Sequence, residues 1–212
     1  MPELLTEVDR FRAWAKGYPE EQRSGEWECG YNFWGDIYDA VLEFTNVRPF
    51  ESWSAVELET VLYAIARDNE LEHLAGEIRR RHPDLLLKLA REAIRVGEKD
   101  NRWQLAEELG HISERAEAER LLLILARDEA EYVRRRSLKS LARHRSPAVE
   151  ELAMEAWRRP DPAQEWARMM ALDCLEMIDS SRLEPLLAEA EKDDRLYLSQ
   201  FAKSMRATLS SE

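Results

Sequence analysis

Residues Leu121–Arg145, LLLILARDEAEYVRRRSLKSLARHR, decide the fold. An apolar helix ends at Ala126, Asp128 turns the chain, and a second helix starts with Val133-Arg134. In that second helix Val133, Ser137-Leu138 and Leu141-Ala142 recur three and four residues apart, which sets them on one helical face. Asp128 is placed to cap the second helix, and Glu131, three residues on, to bond back to the cap. A helix pair with one apolar stripe buries that stripe only by stacking on a neighbour.

Outward from this stretch the same unit recurs. Turn aspartates fall at Asp68, Asp100, Asp128, Asp161 and Asp193, spaced 32, 28, 33 and 32 apart. Within the second helices Leu105, Ser137, Ala171 and Phe201 correspond, followed four residues later by Leu109, Leu141, Leu175 and Met205. Three residues earlier come Arg102, Arg134 and Arg168, with Leu198 breaking the series. Local signals mark the helix starts. Ser54 and Glu57 form an S-x-x-E capping box, and Asn69 with Glu72 can cap the helix after Asp68. Pro83 suits a first helical turn, Gly97 a helix end, and Asp161-Pro162 with Gln164 another start. Ser181 with Glu184 opens the penultimate helix.

The first fifty residues do not share this period. They are rich in aromatics: Trp14, Tyr18, Trp27, Tyr31, Phe33, Trp34, Tyr38, Phe44 and Phe50. One reading is a cap over the open end of a helical stack, which terminal repeats require. The other is a binding surface of Trp27, Tyr31 and Trp34, interleaved with Glu26, Glu28 and Asp36, since aromatics are favoured interface anchors.

Composition narrows the classes. Pro and Gly total 15 of 212 residues, which favours helices over sheets. The net charge of −12 argues against a general nucleic-acid binder and suits a chain that attracts basic partners. That charge is uneven: residues 1–50 carry −5, 51–115 carry −4, 116–146 carry +3 and 147–212 carry −6. No apolar run approaches the length of a bilayer span, so no membrane partner is expected. MPELLTEVDRF has acids where a secretion signal has basic and then apolar residues. Cys29 and Cys174 match no metal or redox spacing, and a reducing cytoplasm is the expected location.

Asp128-x-x-x-x-Val133-Arg134 followed by Leu138-x-x-Leu141-Ala142 resembles the second half of a HEAT repeat. The resemblance runs from Ser54 to about Leu209 and implies an all-α, right-handed, armadillo-like α-solenoid of about five helix pairs. Residues 1–50 would form the aromatic helical N-terminal cap, and 51–212 one continuous repeat region. In such repeats Asp128 and Arg134 would belong to a ladder of structural hydrogen bonds, and the second helices would line the binding face. The layout, with Leu62-Tyr63-Ala64-Ile65-Ala66-Arg67-Asp68-Asn69-Glu70, is also similar to small bacterial HEAT-like immunity proteins that neutralise a partner toxin, often a nuclease. A second resemblance is to the HEAT-like alkylpurine DNA glycosylases, which would give roles to Trp103, Trp166 and Asp100 or Asp161.

Candidate chemistry is sparse. Glu70…His73 and Glu108…His111 have the E-x-x-H spacing used in di-iron bundles, but the helices are short and glutamate is abundant, so no metal and no cofactor are expected. Arg79-Arg80-Arg81-His82 and Arg134-Arg135-Arg136 with Arg143-His144-Arg145 could meet phosphates, yet the overall charge has the wrong sign for phosphate-dominated affinity. No nucleophile elbow, phosphate loop or H-E-x-x-H is present. The expectation is a non-enzymatic protein-binding scaffold with no catalytic residues. Its partner would be a basic protein such as a toxin domain. Beside the structural motif, Tyr132, Arg135, Arg136 and Lys139 are the outward residues expected to read a partner, along with Trp27, Tyr31, Trp34 and Asp36.

Overall fold

The computed structural model describes residues 3–19, 30–160 and 164–210; Glu26, Trp27, Glu28, Cys29, Asp161 and Pro162 lie outside them. The described residues form twelve α-helices and divide into two compact units, residues 1–112 and 113–212. The first unit takes in both the N-terminal aromatic segment and the helices that follow Ser54.

In residues 1–112 the helices are α1 (Leu4–Ala15), α2 (Trp34–Val47), α3 (Ala55–Arg67), α4 (His73–Arg81), α5 (Pro83–Val96) and α6 (Lys99–Leu109). They sort into two layers. α1 packs on α3 and α3 on α6; α2 packs on α4 and α4 on α5. The expected first-helix, second-helix alternation therefore fails once, because α4 and α5 follow one another within the same layer. The cause is local. Pro83 has no N–H and cannot continue α4, but it fits the first position of α5. His82 alone joins the two: its N–H closes α4 on Ile78 O at 2.7 Å, and its carbonyl accepts from Leu85 N at 3.0 Å. This one-residue joint leaves α5 packed directly beside α4.

The Ser54–Glu57 capping box forms as expected, with Glu57 N–H donating to Ser54 Oγ at 3.2 Å. Asn69 does not cap α4. Asp68 does, accepting Leu74 N–H at 2.6 Å and the Tyr38 hydroxyl at 2.9 Å, because Glu72 enters the helix in a left-handed conformation (φ 52°) and shifts the donors toward Asp68. α3 and α6 are tied by side-chain amides: Asn101 donates to Leu62 O at 3.3 Å and Gln104 to Ile65 O at 2.5 Å.

In residues 113–212 the helices are α7 (Arg115–Leu125), α8 (Glu131–Arg143), α9 (Val149–Arg158), α10 (Gln164–Met177), α11 (Leu183–Ala190) and α12 (Leu196–Leu209). Here alternation is regular. Every helix packs on the next, and α8, α10 and α12 lie side by side as one layer. Of the aligned positions Ser137, Leu141, Ala171 and Leu175 are fully buried, whereas Phe201 and Met205 on α12 are half-buried; Ser137 satisfies its hydroxyl on Val133 O at 2.7 Å.

Repeated hydrogen bonds hold this stack. Helices α8 and α10 end alike, on Arg145 (φ 52°) and Asp179 (φ 56°), with Ser146 N–H reaching Leu141 O and Ser180 N–H reaching Leu175 O. Ser146 Oγ then donates to the Glu119 carboxylate and Ser180 Oγ to Glu150 at 2.6 Å, each reaching the preceding repeat. Arg145 and Asp179 pair across the two repeats at 3.3 Å.

The aspartate ladder takes a different form from the one expected. Asp128 does not cap α8; its carboxylate accepts Ala130 N–H at 2.8 Å, because the helix starts only at Glu131 and its first N–H groups lie out of reach. Arg134 donates to the carbonyls of Asp128 at 2.8 Å and Glu129 at 2.7 Å, so it ties down its own turn. Arg102 does the same on Gly97 O at 2.7 Å and Arg168 on Trp157 O at 3.1 Å. A rung between neighbouring repeats appears at Arg168, 3.2 Å from Asp193. Asp193 also accepts from Arg195 Nε at 2.7 Å, and these bonds hold its carboxyl down at about 2.

Candidate partner-binding surface

The two surfaces expected from sequence fare differently. In residues 1–112 Tyr31 and Trp34 are core side chains, 6% and 8% exposed. They close around Phe11, with ring centroids 5.0 and 5.2 Å away, and Trp14 and Tyr63 complete the cluster. Burial of this many rings binds α1 and α2 to α3. The two rings are therefore packed in the core of residues 1–112 and do not form an open anchor. Asp36 is half exposed and receives Arg10 at 2.6 Å, so its charge is already met. Trp27 lies outside the described residues.

In residues 113–212 the outward residues of α8 do face solvent in part. Tyr132 sits in the first turn of α8, under two guanidiniums: Arg135 is 4.7 Å and Arg136 4.9 Å from its ring centroid. Arg136 also donates to the Tyr132 hydroxyl, Arg135 pairs with Glu131 at 3.0 Å, and Lys139 reaches Asp173 on α10 at 3.4 Å. The result is a preformed patch with its cations fixed by neighbours rather than a loose basic cluster. Beside it a cavity of about 40 Å³ opens between α8, α9 and α10, walled by Leu138, Leu152, Ala156 and Met170 under Arg134 and Arg135.

The same layer carries a second feature, at Trp166 and Tyr197. Trp166, in the first turn of α10, is 44% exposed, and Tyr197, in the first turn of α12, is 58% exposed. Their rings stack at 5.9 Å and 22°. The signal was present in the alignment. Tyr132, Trp166 and Leu196 each stand two residues before the Arg134, Arg168, Leu198 series, so an aromatic or large apolar side chain recurs on successive second helices. Leu196 is itself 63% exposed. Tyr132, Trp166 and Leu196-Tyr197 thus mark the first turns of α8, α10 and α12, at the ends where helix dipoles are positive.

The arginine clusters are spent on the protein itself. Arg79 pairs with Glu108 at 2.5 Å, Arg81 with Glu77 at 2.8 Å and Arg80 with Glu77 as well. Trp103 is buried, and Asp100 lies 3.8 Å from Arg67. Neither E-x-x-H spacing forms a facing pair, since Glu70 lies in the turn before α4 and Glu108 is held by Arg79. Among the described residues no three His, Cys, Asp or Glu side chains gather as a metal site needs. Cys174 is buried, which pushes its thiol pKa up and leaves it unreactive. Among the described residues no helix is long and apolar enough to cross a membrane.

The comparison with known families agrees with this architecture: residues 118–206 match a family model described as HEAT repeats. That span begins within α7 and ends within α12, so it covers the three regular helix pairs. No curated protein matches the chain.

Proposed function

We propose that this chain, which belongs to the HEAT-repeat proteins through residues 118–206, is a non-enzymatic protein-binding scaffold whose partner lies along the first turns of α8, α10 and α12. HEAT repeats are commonly protein-interaction scaffolds. The observation that carries the reading here is the exposed, stacked Trp166–Tyr197 pair, continued by Leu196 and by Tyr132 under its two arginines. Rigid aromatic and arginine side chains are the usual anchors of protein interfaces, and these are held in place before any partner arrives.

The partner favoured by charge is a basic protein. The chain carries a net charge of −12, and such a field steers a cationic surface toward it. An immunity protein that covers a basic toxin, such as a nuclease, is the biological role most in keeping with that field. The reading as a nucleic-acid-acting enzyme has less support, because its arginines are already bound to Glu77, Glu108 and Glu131. The test is affinity capture from the source cell with the intact protein and a Trp166→Ala/Tyr197→Ala variant of equal melting temperature. A captured basic protein, lost with the double variant, is the expected result. Undiminished capture by the variant places the interface elsewhere, and a captured acidic protein or nucleic acid removes the toxin-neutralising role.

A further inference from the structure

The groove between the start of α1 and the end of α2 differs in chemistry from the α8–α10–α12 surface. It holds about 510 Å³ and is walled by Leu4, Leu5, Ala40, Phe44 and Val47. Leu5 and Val47 are 40% and 62% exposed, which leaves an apolar strip facing water on two adjoining helices. Carboxylates rim this strip at Glu3, Glu43 and Glu57, against a single cation, Arg48. Arg48 is occupied: it lies 3.4 Å from Glu57, and its guanidinium is 5.7 Å from the Phe44 ring centroid. Glu57 is fixed in the capping box of α3, where hydrogen bonds from Ser54 hold its carboxyl below the usual range. Among the described residues Glu3 and Glu43 have no cationic partner.

We propose that this groove receives an amphipathic helix of a partner protein, with aliphatic residues on one face and lysines or arginines along its edges. The aliphatic face would cover Leu5, Phe44 and Val47, and the edge cations would meet Glu3 and Glu43. Helix-in-groove docking needs an apolar trough and flanking charges of opposite sign, and both are present within a few residues of each other. A purely apolar occupant would leave the carboxylates unmet. An acidic occupant would be repelled, as would an anionic lipid surface.

The probe is a fluorescein-labelled peptide about 14 residues long, four turns of helix, with leucines at 3–4 spacing and lysines elsewhere. An isomer of the same composition without the helical period is the control for charge alone. Fluorescence anisotropy with the full chain should show binding at least about tenfold tighter for the amphipathic peptide than for its isomer. Val47→Glu and Glu43→Lys should each weaken it by about tenfold or more at unchanged melting temperature. Equal binding of the two peptides, or indifference to both substitutions, overturns the proposal. So does a dimer in sedimentation that Val47→Glu splits, since a second copy would then be the occupant. The Trp166→Ala/Tyr197→Ala variant should bind the peptide as the parent does, so this groove and the α8–α10–α12 surface stand or fall separately.

Discussion

Residues 1–112 and 113–212 are both built from short helix hairpins, yet different interactions close them. In 113–212 one bond recurs, Ser146 to Glu119 and Ser180 to Glu150, and two further pairs, Arg145 to Asp179 and Arg168 to Asp193, each join neighbouring repeats. In 1–112 ion pairs Arg67 to Glu98 and Arg79 to Glu108 are joined by an aromatic cluster around Phe11 and the amides of Asn101 and Gln104, and the layer order slips at His82-Pro83. A repeated polar rung fixes spacing and register between identical neighbours. Ring packing tolerates irregular neighbours, which suits a unit whose layer order slips at Pro83.

That contrast can be broken at graded cost. Phe11→Ala removes the ring on which Trp14, Tyr31, Trp34 and Tyr63 converge, and should cost about 4 kcal/mol in urea unfolding. Gly97→Ala should cost about 3 kcal/mol, because a Cβ there would meet Asn101 Oδ1 at 2.4 Å, Ala93 O at 2.6 Å and Ala93 Cα at 2.7 Å. Two of those contacts are backbone and cannot yield.

In the regular unit, Asp193→Asn should cost about 2 kcal/mol at pH 7. The pH dependence has a definite sign. Bonds chiefly from Arg195 lower the Asp193 carboxyl from 3.8 to about 2 in the fold, so its contribution is full above pH 4 and lost as pH falls through 2. The gap between parent and variant, measured by urea unfolding across pH, should be flat from pH 5 to 7 and close toward pH 2. A gap that persists at pH 2 would assign the effect to packing. Smallest are Ser146→Ala and Ser180→Ala, each expected to cost about 1 kcal/mol for one rung and one turn bond. Equal losses at the two sites would show that the rungs are equivalent; unequal ones would show that register varies along the stack.

How much of this was legible follows from the same contrast. The period of Leu105, Ser137 and Ala171, and of Leu109, Leu141 and Leu175, places core residues correctly because helical spacing and burial report the same face. The Ser54–Glu57 box reads directly because its chemistry is local. The layer slip was not readable, since Pro83 as a helix start says nothing about which layer the helix joins. Asp128 and Asn69 misled as caps because capping depends on where the first N–H groups point, within one or two residues. Tyr31 and Trp34 fit both a cap and an interface in sequence, with the cap favoured because a repeat stack needs its end covered, and their contacts with Phe11 place them in the core. Trp166 and Tyr197 became visible as a pair only when α10 and α12 were side by side, since they stand 31 residues apart.

The scaffold reading turns on which face meets the partner, and site-specific photocrosslinking in the source cell tests that most directly. A photoreactive phenylalanine analogue would replace Tyr197, on the first turn of α12, or Ile124, 51% exposed on α7, in otherwise intact protein. The expected result is a discrete protein adduct from position 197 and none from 124. An adduct from 124 with none from 197 would contradict a partner bound along α8, α10 and α12.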